Sequence, residues 1–288
     1  MNLRATLLTT LAMIAFAGNS LLCRAALRDT DIDAASFTLI RIVSGAVMLA
    51  LLVRLRQGAD ERRAGSWWSA LALFVYAVAF SFAYAGLTTA MGALLLFGAV
   101  QASMIGIGMA RGERPVSWQW LGIFVAFVGL VGLLLPGLSA PPSLSAALML
   151  AAGVAWGGYS LRAKGAGDPL QATAGNFLRA VPLTLVVSVV FLSDVRLDWP
   201  GTVLAVTSGA LASGVGYAIW YSALPWLQAT TAATVQLSVP VLAAVGGIVL
   251  LGEPLTLRLV AAGSAILGGI ALVIAGKPAV RVSVGAER

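Results

Sequence analysis

The stretch Leu121-Gly-Ile-Phe-Val-Ala-Phe-Val-Gly-Leu-Val-Gly-Leu-Leu-Leu135 contains no polar side chain. A transmembrane barrel strand alternates polar and apolar residues over about ten positions, so this run excludes a strand. In hydrocarbon the backbone must bond within its own segment, which leaves the α-helix. Similar runs extend in both directions from it. A hydrocarbon layer about 30 Å thick takes roughly 20 helical residues at 1.5 Å each. Ten runs of that order are read at 5–27, 34–55, 67–86, 89–110, 117–135, 143–162, 170–192, 201–222, 226–250 and 256–275. Charge or turn clusters separate most of them: Arg28–Asp33, Arg56–Ser66, Arg111–Pro115, Pro136–Pro142, Lys164–Pro169 and Asp194–Pro200. The breaks at Gly86–Thr89 and around Pro225 are weaker. Arg4 followed by the run Leu7 to Ala17 has the form of a leader peptide. The apolar stretch continues past Gly18 to Leu27, however, long enough to be a first span.

Composition supports a membrane class. Sixty per cent of the 288 residues are hydrophobic and 10% are charged, and the mean hydropathy is +0.96. A soluble domain carries roughly a quarter of its residues charged, so lipid must face much of this surface. The absence of His and the single Cys23 exclude an internal disulfide and a cysteine-based metal cluster. No metal and no cofactor are expected. The net charge of +7, from 18 basic and 11 acidic residues, is read as Lys and Arg retained in cytoplasmic loops, not as a nucleic-acid surface.

With a cytoplasmic N-terminus, the inside group holds Arg4, Arg54, Arg56, Arg62, Arg63, Arg111, Arg114, Arg162, Lys164, Lys277, Arg281 and Arg288. The outside group holds only Arg24, Arg28, Arg196 and Arg258. That bias places both termini in the cytoplasm of a plasma or bacterial-type inner membrane, as an even number of spans requires.

The two halves resemble each other. Ala-Phe-Ala-Gly-Asn-Ser-Leu at 15–21 aligns with Ala-Trp-Gly-Gly-Tyr-Ser-Leu at 155–161, and Arg41 with Arg179. Ala-Tyr-Ala-Gly-Leu at 83–87 matches Trp-Tyr-Ser-Ala-Leu at 220–224, and Gly112-Glu113 matches Gly252-Glu253. Five is an odd number of crossings, so the second copy enters the membrane from the opposite side. The expected fold is therefore all-α, with ten transmembrane helices in two inverted five-helix repeats, 1–137 and 138–277, and a short cytoplasmic tail at 278–288. An inverted repeat lets one site open alternately to either face, which points to transport.

Small residues form stripes in the fifth span (Gly122, Ala126, Gly129, Gly132) and the tenth (Ala261, Gly263, Ala265, Gly268, Gly269). These let helix backbones approach, within one chain or between two. Tyr76, Phe80 and Tyr84 recur every four residues and share one face of the third helix. The eighth offers Tyr217, Trp220 and Tyr221; the first, Phe16, Asn19 and Ser20; the sixth, Trp156, Tyr159 and Ser160. An interfacial aromatic belt accounts for some rings, but poorly for Asn19, because an unpaired amide in hydrocarbon is costly. These residues are candidates for a substrate cavity. Gln101 and Gln236 either bind a polar substrate group or bond to a neighbouring helix. Pro240 frees a carbonyl near Gln236, either for binding or merely as a kink. Arg41 and Arg179 are the only deep charges, either snorkelling or acting in gating or packing through carbonyls or a substrate carboxylate. Glu113 and Glu253 suit capping or an Arg link. No Asp or Glu lies near the middle of a span, so facilitated movement without a carboxylate proton relay is expected. Catalysis is not expected either, since no His, membrane Asp or base accompanies Cys23 or the serines.

On these residues the chain resembles the ten-helix EamA-like class of the drug/metabolite transporter superfamily. The likeness rests on Ala-Phe-Ala-Gly-Asn-Ser, Ala-Trp-Gly-Gly-Tyr-Ser and, above all, Pro240 through Leu251-Gly252-Glu253-Pro254. The first half departs from it, with Val100 where Pro240 aligns and Arg111-Gly112-Glu113 in place of Leu-Gly-Glu. Within the class the chain is most similar to YddG-type exporters of aromatic amino acids. The resemblance implies two inverted bundles around a central cavity lined by helices 1, 3, 4, 6, 8 and 9. It also implies export of small metabolites, phenylalanine, tyrosine and tryptophan among them. Aromatic walls suit aromatic side chains and quaternary amines alike, so another metabolite or a cationic drug is the alternative. The expected partners are the bilayer and a small-molecule substrate, an amino acid, with the chain working as a monomer.

Overall fold

A computed structural model describes residues 3–57, 64–110, 112, 115–135, 140–163, 168–227, 232 and 235–275. Arg62, Arg63, Arg111, Glu113, Arg114, Lys164, Lys277 and the tail 278–288 lie outside the described residues. The elements are α1 (Leu3–Asp29), α2 (Ala34–Gln57), α3 (Trp67–Tyr84), α4 (Thr89–Ala110), α5 (Ser117–Leu134), α6 (Ser143–Ala163) and α7 (Pro169–Val190). They continue as α8 (Trp199–Trp226), α9 (Ser238–Leu251) and α10 (Leu257–Ala275). No strand occurs among the described residues. Nine of these helices are long and apolar enough to cross a membrane, and α9 is a shorter apolar helix. The ninth span was expected from residue 226. Leu224–Trp226 closes α8 as a 3-10 turn and Leu227 is extended; Ala232, Val235 and Gln236 are helical and Leu237 is a turn, ahead of the helix Ser238–Leu251.

Local chemistry sets several ends. The Ser66 hydroxyl accepts the Ser69 N–H at the start of α3. Asp168 accepts from Leu170 and Gln171 N–H ahead of Pro169 at the start of α7, and Asp198 accepts from Gly201 N–H before α8. Each satisfies N–H groups that a helix start leaves unbonded. Gly252 ends α9 at φ +63°, the left-handed conformation that glycine adopts without strain.

The helix ends reveal the direction of each repeat. The end of α1 meets the ends of α3 and α9 through Arg24 and Arg28, which donate to the carbonyls of Tyr84 and Leu251. The start of α6 is at that same end, since Ser145 lies against Gly86. Helix α6 therefore runs antiparallel to α1, and the second five helices are inverted relative to the first. Packing crosses between the halves: α3 and α4 against α6, α8 and α9 against α1, and α2 against α7.

Among the described residues, the four cations expected outside lie at one end of the bundle. Arg24, Arg28 and Arg258 gather where α1 ends, their guanidinium groups bonded to Glu253, Asp29 and the Leu135 carbonyl, and Arg196 joins them there through its backbone, which pairs with Asp33. Arg56 and Arg162 are at the other end, near Asp168 and Pro169.

Helices α5 and α10 form a seam within the chain. A Cβ on Gly122 would stand 2.5 Å from the Gly269 carbonyl oxygen, and one on Gly129 would stand 2.8 Å from the Ala265 Cβ. The seam on α10 is Ala262, Ala265 and Gly269, one position away from the expected Ala261 and Gly268, which are exposed. Outward-facing Phe124 and Phe127 are 65% and 62% exposed, as suits lipid contact. Trp67, Trp68, Trp118, Trp199 and Trp226 are exposed near helix ends, the level of an interfacial belt.

Candidate substrate site

Polar groups and rings divide the interior into three levels. At the end where α3 begins, a cavity of about 550 Å³ is lined by Ser66, Ser69, Tyr159, Arg162, Thr173 and Asn176, among others. Asn176 organises it. Its Oδ1 accepts the Ser66 N–H at 2.8 Å, and its amide donates to the Tyr159 hydroxyl at 3.3 Å. The Thr173 hydroxyl lies 3.4 Å from Tyr159 and 3.1 Å from Tyr221.

Beyond Tyr159 the rings are continuous. Trp156 stacks on Tyr159 at 5.3 Å and on Tyr217 at 5.6 Å, and meets Tyr76 at 4.8 Å. Phe16 contacts Tyr217 and Trp220 at 5.7 and 6.0 Å, and Tyr217 lies 6.3 Å from Tyr221. Helices from both repeats thus bring Phe16, Tyr76, Trp156, Tyr159, Tyr217, Trp220 and Tyr221 into one cluster. Phe177 on α7 joins it, 6.1 Å from Tyr217.

The middle level is polar. Asn19 accepts from the Ser208 hydroxyl at 2.7 Å and donates to the Tyr76 hydroxyl at 3.4 Å. Arg41 donates to that same hydroxyl at 3.2 Å. Ser208 opens a π-helical segment, Ser208–Val215, inside α8. Such widened turns recur at functional sites. Here the segment brings α8 unusually close to α2, because a Cβ on Gly209 would collide with the Arg41 carbonyl and the Ser44 hydroxyl.

The opposite end is sealed. Arg24 Nε is 3.2 Å from Glu253 Oε1, and its Nη1 donates to the Tyr84 and Ala85 carbonyls at 2.9 and 3.3 Å. Glu253 Oε2 accepts the Thr89 N–H at 2.8 Å, so this carboxylate both links an Arg and caps α4. Tyr84 is enclosed beneath this knot. Its hydroxyl lies 3.3 Å from the Thr89 carbonyl, its ring stands against Gly92, and Ser20 bonds to it. Phe80 connects Tyr84 to Tyr76 at 4.7 and 5.3 Å. Ser20, Phe80 and Tyr84 are therefore on the sealed side of the network.

The remaining candidates are elsewhere. Gln236 donates to the Ala232 carbonyl of its own segment, and Gln101 is half-buried on α4. Pro240 lies in the first turn of α9, after an irregular step at Leu237. Ser160 is half-buried on α6 beside Tyr159. Arg179 donates to the carbonyls of Ala64 and Gly175 at 2.6 and 2.9 Å, tying α7 to the start of α3. Thr173, Asn176 and Ser208 were missed, although each is a polar residue in an apolar run, the criterion that selected Asn19. Ser66 and Arg24 had only loop-like signals.

Comparison with known proteins agrees with this architecture. Residues 143–275 match the model of the EamA-like transporter family. The chain is 58% identical to the uncharacterized protein PA1977 of Pseudomonas aeruginosa, over 94% of this chain and 95% of that one. It is 30% identical to the threonine/homoserine exporter RhtA of Salmonella typhimurium strain LT2, over 53% of this chain and 52% of the exporter. The RhtA of Escherichia coli K12 is 29% identical over 56% of each chain, so the likeness to these exporters spans about half their length. A solved crystal structure superposes with a TM-score of 0.66 at 18% identity, over 93% of this chain and 96% of that one, a likeness of fold alone.

Proposed function

We propose that the chain is a member of the EamA-like transporter family, whose model matches residues 143–275, and that it exports amino acids, aromatic ones among them, across a bacterial inner membrane by alternating access. Two units, 1–137 and 138–277, rock against each other about the ring cluster. Both termini and the tail 278–288 face the cytoplasm, and the protein works as a monomer. In this reading the polar cavity is the cytoplasmic mouth and the Arg24–Glu253 knot is the outer gate.

A single observation carries the proposal: one end is closed by an ion pair and backbone caps while the other holds a 550 Å³ polar cavity. Between them, Phe16, Tyr76, Trp156, Tyr159, Tyr217, Trp220 and Tyr221 offer ring faces to an apolar side chain, and Asn19 offers an amide. A second reading, transport of hydroxylated amino acids, is favoured by the half-length likeness to threonine/homoserine exporters.

The test is counterflow in proteoliposomes loaded in turn with phenylalanine, tryptophan, threonine, leucine and a quaternary amine. Exchange of the aromatic acids is expected to be fastest. Threonine exchange alone selects the second reading, and exchange of the amine alone defeats both. Imposing a proton gradient tests coupling, since uphill uptake would show that protons are carried despite the lack of a mid-span carboxylate. Within the cavity, Trp156→Ala is expected to lower transport more than protein level.

A further inference from the structure

Arg41 is 2% exposed, yet among the described residues its guanidinium makes one hydrogen bond, from Nη2 to the Tyr76 hydroxyl at 3.2 Å. Its Nε and Nη1 are buried without a partner. The ion pairs Arg24–Glu253, Arg28–Asp29 and Arg56–Asp168 are all elsewhere. A guanidinium keeps its charge in a protein. Its carbon lies 4.8 Å from the Phe80 ring centroid and 5.4 Å from that of Tyr76, and cation–π attraction offsets only part of its desolvation.

Packing does not require this arrangement. Arg179, at the matching repeat position, is held by two backbone carbonyls. Arg41 is a buried cation with two idle donors, an exception that calls for an explanation. Tyr76 adds a third: its hydroxyl oxygen accepts from both Asn19 and Arg41, leaving its own proton available. Tyr76 packs on Trp156 and Trp156 on Tyr159, which lines the cavity. The route from cavity to guanidinium therefore passes three rings, those of Tyr159, Trp156 and Tyr76.

We propose that Arg41, with Tyr76, is the carboxylate-binding site of the transporter, pairing with the α-carboxylate of a substrate whose side chain rests on the rings. The inference rests on the amino-acid reading above and deepens it. A planar guanidinium presents parallel N–H groups that match the two oxygens of a carboxylate, whereas it repels an ammonium. The substrate must then carry a carboxylate, and decarboxylated amines are excluded.

The experiment is thermal stabilisation of the purified full chain by phenylalanine, 3-phenylpropionate, phenethylamine and sodium chloride at equal concentration. Stabilisation of the wild type by the first two and not by the others is expected, and this comparison needs no variant. In Arg41→Gln the affinity for both acids falls roughly tenfold or more, as loss of a charge-assisted pair implies, while Arg41→Lys retains part of it. A response to phenethylamine equal to that to phenylalanine overturns the assignment but leaves transport intact. So does an equal response to chloride, or an Arg41→Gln protein that still prefers the acids. Silence of the wild type towards phenylalanine and 3-phenylpropionate overturns the aromatic amino-acid reading, and the assignment with it.

Discussion

Tyr84 and Tyr221 occupy matching places in the two repeats, at opposite ends of the bundle, and their surroundings differ. Tyr84 is fully enclosed, with its hydroxyl against the Thr89 carbonyl and the Arg24–Glu253 pair above it. Tyr221 is half-buried, bonded to Thr173 beside the polar cavity. Similar helices thus produce a closed end and an open one. The apolar seam of α5 and α10 is common to both, so a few polar contacts decide which end is shut. An equilibrium of this kind needs only a few kcal/mol to reverse.

The largest expected disturbance is Glu253→Gln. It leaves Arg24 without its carboxylate, costing about 2 kcal/mol for a partly buried pair, or roughly 30-fold in population. Cys23, the only cysteine, is fully buried next to Arg24 and serves as the reporter. Its labelling by a membrane-impermeant maleimide should rise more than tenfold over wild type by the same arithmetic. Unchanged labelling would remove the ion pair from any gating role.

Asn176→Ala sharpens the contrast from the other end. It deprives the Ser66 N–H of its acceptor and the Tyr159 hydroxyl of one of its two partners, a loss of about 1–2 kcal/mol. The melting temperature should drop while Cys23 remains shielded; exposure of Cys23 would mean that the ends are not independent locks. A smaller effect is expected from the paired variants Tyr84→Phe and Tyr221→Phe. The first should cost about 1 kcal/mol in stability. The second should leave the melting temperature nearly unchanged but raise the transport KM several-fold, on the order of one lost hydrogen bond. Equal behaviour of the two would erase the distinction between the ends.

The smallest effect concerns Asp33, in the connection before α2 on the sealed side. Burial works against its charge. Hydrogen bonds from Ser36 and from the backbone N–H groups of Arg196, Ser36 and Ala35 outweigh this and hold its carboxyl below the usual range. A lowered native value stabilises the fold above roughly pH 4, where the unfolded carboxyl is also charged. That contribution is lost as pH falls through the native value. Screening at this partly exposed site holds it below about 1 kcal/mol. Comparing wild type and Asp33→Asn melting curves between pH 6 and pH 3 should show the difference shrinking as pH falls.

Much of this was legible in the chain. Arg24, Arg28, Arg196 and Arg258 share one end because a positional charge bias needs only the helix count. The rings of α1, α3, α6 and α8 were selected by spacing and do converge. Asn176 and Thr173 escaped because the reading followed rings repeated at helical spacing, and α7 carries the single ring Phe177. The expected bound of the ninth span at residue 226 falls on the 3-10 turn Leu224–Trp226, which hydropathy does not register.

Hydropathy and spacing by themselves determined ten lipid-facing helices, their inverted order and the sorting of charges, since each is a sum over one helix or one loop. Only the tertiary structure decided which end is closed and that Arg41 is left with idle donors while Arg179 is not. A polar group is satisfied by whatever surrounds it in space. The carboxylate that holds Arg24 lies 229 residues away, where no local pattern reaches.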